Sequence, residues 1–174
     1  MPSSQRSGPM SDRVDPALSE RTQAVYEAAA TGYDRSRSRR LFEQAWLDRF
    51  LALSPPGSPV LDLGCGAGDP IARCLLKSGR SVTGVDFAPA MLGIAAKRFP
   101  EARWIEADMR ALDLGERFGG ILAWDSLFHL TATDQRALFP VLARHLLPGG
   151  ALLFTSGPEA GSVTGTVEGQ TVYH

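Results

Sequence analysis

One segment limits what this chain can fold into more than any other. Val60-Leu61-Asp62-Leu63 runs directly into Gly64-Cys65-Gly66-Ala67-Gly68, and Asp69-Pro70 follows. The first four residues read as a short buried strand and the alternate glycines as a loop. Asp69-Pro70 reads as the cap and first turn of a helix that Gly79 closes. Glycine is needed where the chain turns through positive φ or where a ligand approaches bare backbone. A strand, glycine loop and helix in this order predict a nucleotide-like ligand over the carboxyl ends of a parallel sheet.

Spacing narrows the ligand. A Gly-x-Gly-x-x-Gly dinucleotide loop would put glycine or alanine at position 69, where this chain has Asp69. A carboxylate suits a helix N-terminus but repels a pyrophosphate docked there. No Gly-x-x-x-x-Gly-Lys-Ser/Thr sequence occurs, which argues against a nucleoside triphosphatase.

The rest of the chain continues the alternation. Strands are predicted at 60–63, 81–85, 102–106, 120–124 and 151–155, with helices at 70–78, 89–99 and 132–146. This pattern gives an α/β fold, a doubly wound, mostly parallel sheet with helices on both faces. Thr131 with Asp134 reads as a capping box for the last helix, and Pro140 inside it predicts a kink. Ahead of the sheet, Ser19 is expected to cap a helix through Ala30 that Gly32 ends. A second helix is expected to bury Leu41, Ala45, Trp46, Phe50 and Leu53 on one face before Ser54-Pro55-Pro56-Gly57-Ser58-Pro59 stops it.

The 174 residues suit one domain. Four parts are expected: a flexible tail at 1–16, helices covering the cofactor site at 17–56, the cofactor-binding core at 57–157, and a partial C-terminal segment at 158–174. The formal net charge of -1 gives no general pull toward nucleic acid or anionic membranes. No apolar run approaches membrane-spanning length, the polar first twenty residues lack a signal-peptide core, and Cys65 and Cys74 read as reduced thiols. A cytoplasmic location is therefore expected. The His and Cys residues lack metal-ligand spacing, so no metal is expected.

Several further motifs fall in a fixed order. Asp86 ends Val82-Thr83-Gly84-Val85, at the spacing from Gly64 where an acid reaches a ribose. Asp108 follows the third strand, Asp125 ends Ile121-Leu122-Ala123-Trp124, and Leu146-Leu147-Pro148-Gly149-Gly150 forms a turn before the fifth strand. With these and Asp62 to Gly68, the chain from Tyr33 to Gly157 resembles the class I, Rossmann-like S-adenosylmethionine-dependent methyltransferases.

That resemblance implies S-adenosylmethionine as methyl donor and S-adenosylhomocysteine as product. It places the donor against Asp62, Gly64, Cys65, Gly66 and Gly68, with Asp86 on both ribose hydroxyls. Asp108 would accept from the adenine amino group while Met109 presents its backbone amide. Phe87 and Met91 either sandwich the adenine ring or pack the following helix. Trp124 and Asp125 lie at the methionine end of the donor, and Tyr33 of the Tyr33-Asp34 pair reaches its carboxylate. Arg35, Arg37, Arg39 and Arg40 read as a solvated basic helix start. His129 is the candidate catalytic base if the acceptor must lose a proton; otherwise it only starts the following segment.

Asp125-Ser126-Leu127-Phe128 is neither the Asn/Asp-Pro-Pro-Tyr/Phe of amino-methylating nucleic-acid enzymes nor a Pro-Cys loop. A small-molecule acceptor is therefore expected, with no nucleic-acid or membrane partner. The family normally adds an antiparallel strand pair after the fifth strand. Here a small hairpin from Thr166 to Tyr173 is expected instead, leaving Leu152, Leu153 and Phe154 near an open apolar edge and suggesting a partial chain. Two other readings stand beside this one: a cofactor-binding but inactive protein, and a nicotinamide-dependent reductase.

Overall fold

A computed structural model describes residues 14–157 and 161–174, so most of the expected tail at 1–16 lies outside the described residues. Five short strands form one sheet: β1 Val60–Leu63, β2 Val82–Asp86, β3 Arg103–Glu106, β4 Phe118–Ala123 and β5 Leu146–Phe154. They pair in parallel in the order β3-β2-β1-β4-β5. The chain winds outward from β1 first on one side and then on the other. The strand order therefore reverses between β1 and β4, where a crevice opens at their carboxyl ends.

Side-chain alternation along the strands supplies two cores. Leu61, Leu63, Val85 and Ile121 face α5 (Ala132–His145), packing on Leu138 and Leu142. On the other face Val60, Val82 and Leu122 meet α2 (Gln44–Leu53) and α3 (Ile71–Lys77) through Leu47, Phe50, Ala72 and Leu75. Fully burying side chains of this size contributes roughly 1.5–3 kcal/mol each. Helix α4 (Pro89–Arg98) packs beside β2 and β3, and α1 (Ala17–Ser36) lies across the carboxyl end of the sheet.

The helices ahead of the sheet differ from expectation. Ser19 lies inside α1, donating its hydroxyl to the His129 carbonyl at 2.7 Å rather than capping. Gly32 also lies within α1, and the Glu168 side chain packs beside it. In α2 the buried pair is Leu47 and Phe50, whereas Trp46 is 56% and Leu53 62% exposed. Phe50 occupies the space a side chain at Gly120 would fill, and that seat turns Trp46 to the surface.

Thr131 caps α5 as expected, accepting from the Asp134 amide at 3.2 Å and donating to its carboxylate at 2.8 Å. Pro140 sits inside α5, which continues to His145. The Leu146-to-Gly150 turn is absorbed into β5 as an irregularity. Pairing steps from Phe118 opposite Leu146 to Gly120 opposite Ala151, and Gly149 takes φ 75°.

Strands β6 (Thr164–Val167) and β7 (Gln170–Tyr173) pair with each other and not with β5. Val167 and Val172 pack on Val25 and Ala29 of α1. At the β5 edge, Phe154 lies edge-on to Phe139 of α5, with centroids 5.4 Å apart. Among the described residues no helix is long and apolar enough to cross a membrane.

Candidate functional site

The crevice is walled by the glycine loop and strand ends on one side and by α1 on the other. Gly64, Gly66 and Gly68 take φ of 74°, 53° and 79°, a region that side chains disfavour. A Cβ at Gly64 would also overlap the Ser126 side chain, whose hydroxyl donates to the Leu63 carbonyl at 2.8 Å. The amides of Gly64 and Cys65 both donate to Val85 O, at 2.8 and 3.1 Å. The loop is thereby stitched to β2.

Asp86 completes that stitching. One carboxylate oxygen accepts from Gly66 N at 2.8 Å and the other from Ala88 N at 2.9 Å. Asp86, expected only as a group for the ribose hydroxyls, therefore also holds the loop in shape. A carboxylate offers about four lone-pair sites, so two remain for a ligand. Burial raises its pKa against those backbone bonds. Asp62, within β1, is pushed up to about 7 by burial and by the neighbouring Asp86, with Arg37 acting the other way. Burial likewise raises the Cys65 thiol well above its ordinary value, making it a poor nucleophile.

Asp69 is not the expected helix cap. Helix α3 starts without a side-chain cap, and the Asp69 carboxylate accepts from Arg73 at 2.9 and 2.8 Å. Its Arg73 hydrogen bonds hold its pKa below the usual carboxylate range despite burial. Two Arg73 nitrogens in a fork satisfy both oxygens better than one amide would.

Phe87, Met91, Asp108, Met109, Trp124 and Asp125 also line the crevice. Met91 is buried among Ala30, Ala67 and Ala88 where α4 meets α1, so packing is a large part of its role. Burial pushes the Asp108 carboxyl upward, but the hydrogen bonds of Arg110 outweigh it and hold the group below its ordinary pKa. The amide of Asp125 donates to Thr155 Oγ1 at 2.7 Å, and its φ of 50° aims the residue into the crevice mouth.

Helix α1 contributes Tyr33, whose hydroxyl accepts from Arg37 Nη1 at 2.7 Å. Arg98 clamps Asp34 through two bonds of 2.9 and 2.7 Å, and Arg39 adds a third contact at 3.1 Å. The expected solvated basic helix start is therefore a paired helix end; among the four arginines, Arg35 and Arg40 are exposed without such pairs. His129 is buried, with Nε2 2.9 Å from the Tyr26 hydroxyl and Nδ1 2.8 Å from the Tyr173 carbonyl. Both ring nitrogens are engaged, so His129 does not face an acceptor directly.

Sequence reasoning missed Ser19, Thr22 and Tyr26, which all line the crevice. With Tyr33 and Arg37 they recur along α1 at spacings of three, four and seven, the repeat of one helix face. That stripe is the signal that could have found them.

Residues 60–150 match the methyltransferase-domain family. The chain is 33% identical over 156 residues to the 2-phytyl-1,4-naphtoquinone methyltransferase of Thermosynechococcus vestitus, covering 81% of this chain and 67% of that protein. It is 32% identical over 153 residues to the dTDP-3-amino-3,6-dideoxy-alpha-D-glucopyranose N,N-dimethyltransferase of Streptomyces fradiae, covering 87% and 57%. Thus the chain spans about two thirds of one relative and just over half of the other. Among solved structures, the SAM-bound amino pentose methyltransferase of Micromonospora echinaspora aligns with TM-score 0.61 at 32% identity, covering 86% and 66%. The DhpI–SAH complex aligns with TM-score 0.70 over 92% and 80%, and at 21% identity shows the fold alone.

Proposed function

The chain belongs to the S-adenosylmethionine-dependent methyltransferase family, and on that premise we propose that it methylates a small-molecule acceptor. The observation that carries the donor site is the charge of the crevice. Asp62 and Asp86 are buried carboxylates with raised pKa values, short of compensating cations. Such a site favours a ligand bearing positive charge. The donor supplies a methyl group already activated on a sulfonium cation.

The remaining roles follow from what each group has left to offer. Asp86 has two lone pairs free for the ribose hydroxyls after holding Gly66 and Ala88. The amides of Cys65 and Gly66 are already spent, so with Gly64 and Gly68 they offer bare surface rather than donors. Arg37, steadied by Tyr33, has guanidinium hydrogens left for the methionine carboxylate. Asp108 is assigned to the adenine amino group, Phe87 and Met91 to the ring, and Trp124 and Asp125 to the methionine end. Holding both reactants in one enclosed crevice supports catalysis by alignment, which is worth roughly 7–11 kcal/mol when the reacting groups are well placed.

Calorimetry tests the donor assignment. S-adenosylhomocysteine should bind, and more tightly as pH rises from 6 to 8, because Asp62 loses its proton near pH 7 and then attracts the ligand's ammonium group. NADH and NADPH should not bind, and tighter binding of either would reject the donor. Label transfer from methyl-labelled donor into a metabolite pool tests the activity. Donor binding without any transfer would favour the inactive reading.

A further inference from the structure

Tyr26 and His129 form a pair with a fixed polarity. The Tyr173 carbonyl, 2.8 Å from His129 Nδ1, can only accept, so Nδ1 carries a proton. Burial, and the neighbouring His174, lower the His129 pKa to about 4 against the opposing bond to Tyr173. The ring is therefore neutral near pH 7, and Nε2 offers a lone pair. The Tyr26 hydroxyl, 2.9 Å away, must be the donor. Burial, with Tyr33, Asp86 and Asp125 nearby, raises the Tyr26 pKa while Arg37 opposes, so the phenol keeps its proton.

That proton is committed to His129, which leaves only lone pairs on the Tyr26 oxygen. Among the described residues no donor reaches that oxygen, and Tyr26 lines the crevice between the glycine loop and Asp125. Packing holds the arrangement still. The Tyr26 ring sits edge-on to Tyr33 at 5.5 Å and to His129 at 5.3 Å, while Ser19 holds the His129 carbonyl at 2.7 Å.

We infer that Tyr26 orients the methyl acceptor by accepting a hydrogen bond from its nucleophilic group, and that this group is a neutral amine carrying its own hydrogen. The inference rests on the methyltransferase reading. An N–H held by its proton leaves the nitrogen lone pair free to take the methyl group as the methyl–sulfur bond breaks, and the product leaves as an ammonium that gives its proton to water. A carboxylate acceptor would set its lone pairs against those of Tyr26, beside Asp86 and Asp125. His129 acts through Tyr26 and is a positioning residue.

Sinefungin, a donor analogue with an amine in place of the methyl-bearing sulfonium, probes this without turnover. S-adenosylhomocysteine has no group there and serves as the control. Tyr26→Phe should weaken sinefungin about tenfold or more, the value of a charge-assisted bond, and change S-adenosylhomocysteine less than about twofold. His129→Phe should shift the same ratio by less, because it frees the hydroxyl to turn without removing the oxygen. Nitrogen-15 spectra of the S-adenosylhomocysteine complex should show His129 neutral with the proton on Nδ1 down to pH 5. An unchanged ratio in Tyr26→Phe, or a proton on Nε2, overturns the inference. Failure of the wild type to bind S-adenosylhomocysteine would instead sink the donor assignment.

Discussion

The two walls of the crevice are held by different forces. The loop wall is fixed by backbone amides: Gly64 and Cys65 on Val85, Gly66 on Asp86, with Ser126 tying down the end of β1. Leu61, Leu63 and Val85 anchor it from beneath in the main core. The α1 wall is attached almost entirely by side chains. Asp34 meets Arg98 and Arg39, Gln23 reaches the Phe87 carbonyl at 2.6 Å, and Glu27 accepts from Ala90 N at 2.9 Å. Its apolar contacts with the loop and α4 come from the small cluster of Ala30, Ala67, Ala88 and Met91. A wall with few buried apolar contacts opens at lower free energy than one built into the core. On these grounds the loop wall should be the harder of the two to open and α1 the easier.

The sharpest way to break this contrast is Gly64→Ala. The substitution forces a side chain into positive φ and into Ser126, so it should cost about 3 kcal/mol or more in denaturant melts. A loss under about 1 kcal/mol would mean the loop wall is not tightly built. Asp86→Ala should follow, weakening S-adenosylhomocysteine by about two decades in calorimetry and lowering Tm, because ligand bonds and loop support go together. Asp86→Asn should lose less. If the ligand is weakened with no change in Tm, the support role is wrong.

The contact between α1 and the segment after β4 should answer to pH. His129 has a folded pKa of about 4 against roughly 6.5 unfolded. The unfolded state takes up the proton first as pH falls, so stability is full above pH 6.5 and is lost toward pH 4. Between pH 7.5 and 5 this amounts to about 2 kcal/mol, and His129→Phe should abolish that part of the dependence in urea melts.

Asp34→Asn should act on the α1 wall alone. We expect about 1–2 kcal/mol lost, a dissociation rate for S-adenosylhomocysteine several-fold faster, and unchanged hydrogen-exchange protection in β1 and β4. Loss of protection in those strands would join the two walls into one unit. The smallest effect belongs to Asp69→Ala. Its partner Arg73 is half exposed, so the pair is worth less than about 1 kcal/mol, and melts should barely move.

Much of the loop wall is legible in the amino-acid sequence. The glycines at 64, 66 and 68, the acids at 86 and 108, and the order of strands and helices all rest on local rules. A turn through positive φ needs glycine, and a βαβ unit keeps its spacing, whatever lies around it. The sequence misleads where a residue has a choice of partners. Asp69 has the sequence of a cap but takes Arg73, Ser19 takes a carbonyl 110 residues away, and Trp46 gives up the core to Leu47 because Phe50 fits over Gly120. Asp86 reads in sequence as a ligand group and not as a support for Gly66, since that bond spans two strand ends.

Local pattern along the chain accounts for the α/β alternation, the glycine loop and the positions of the acids at 62 and 86, because each depends on backbone conformation or on fixed spacing. Tertiary structure alone decided the polarity of Tyr26 and His129. That polarity needs α1, the segment after β4 and the carbonyl of Tyr173 in one place. Burial keeps the ring neutral and an acceptor 44 residues away sets which nitrogen carries the proton, and neither is encoded in any local pattern.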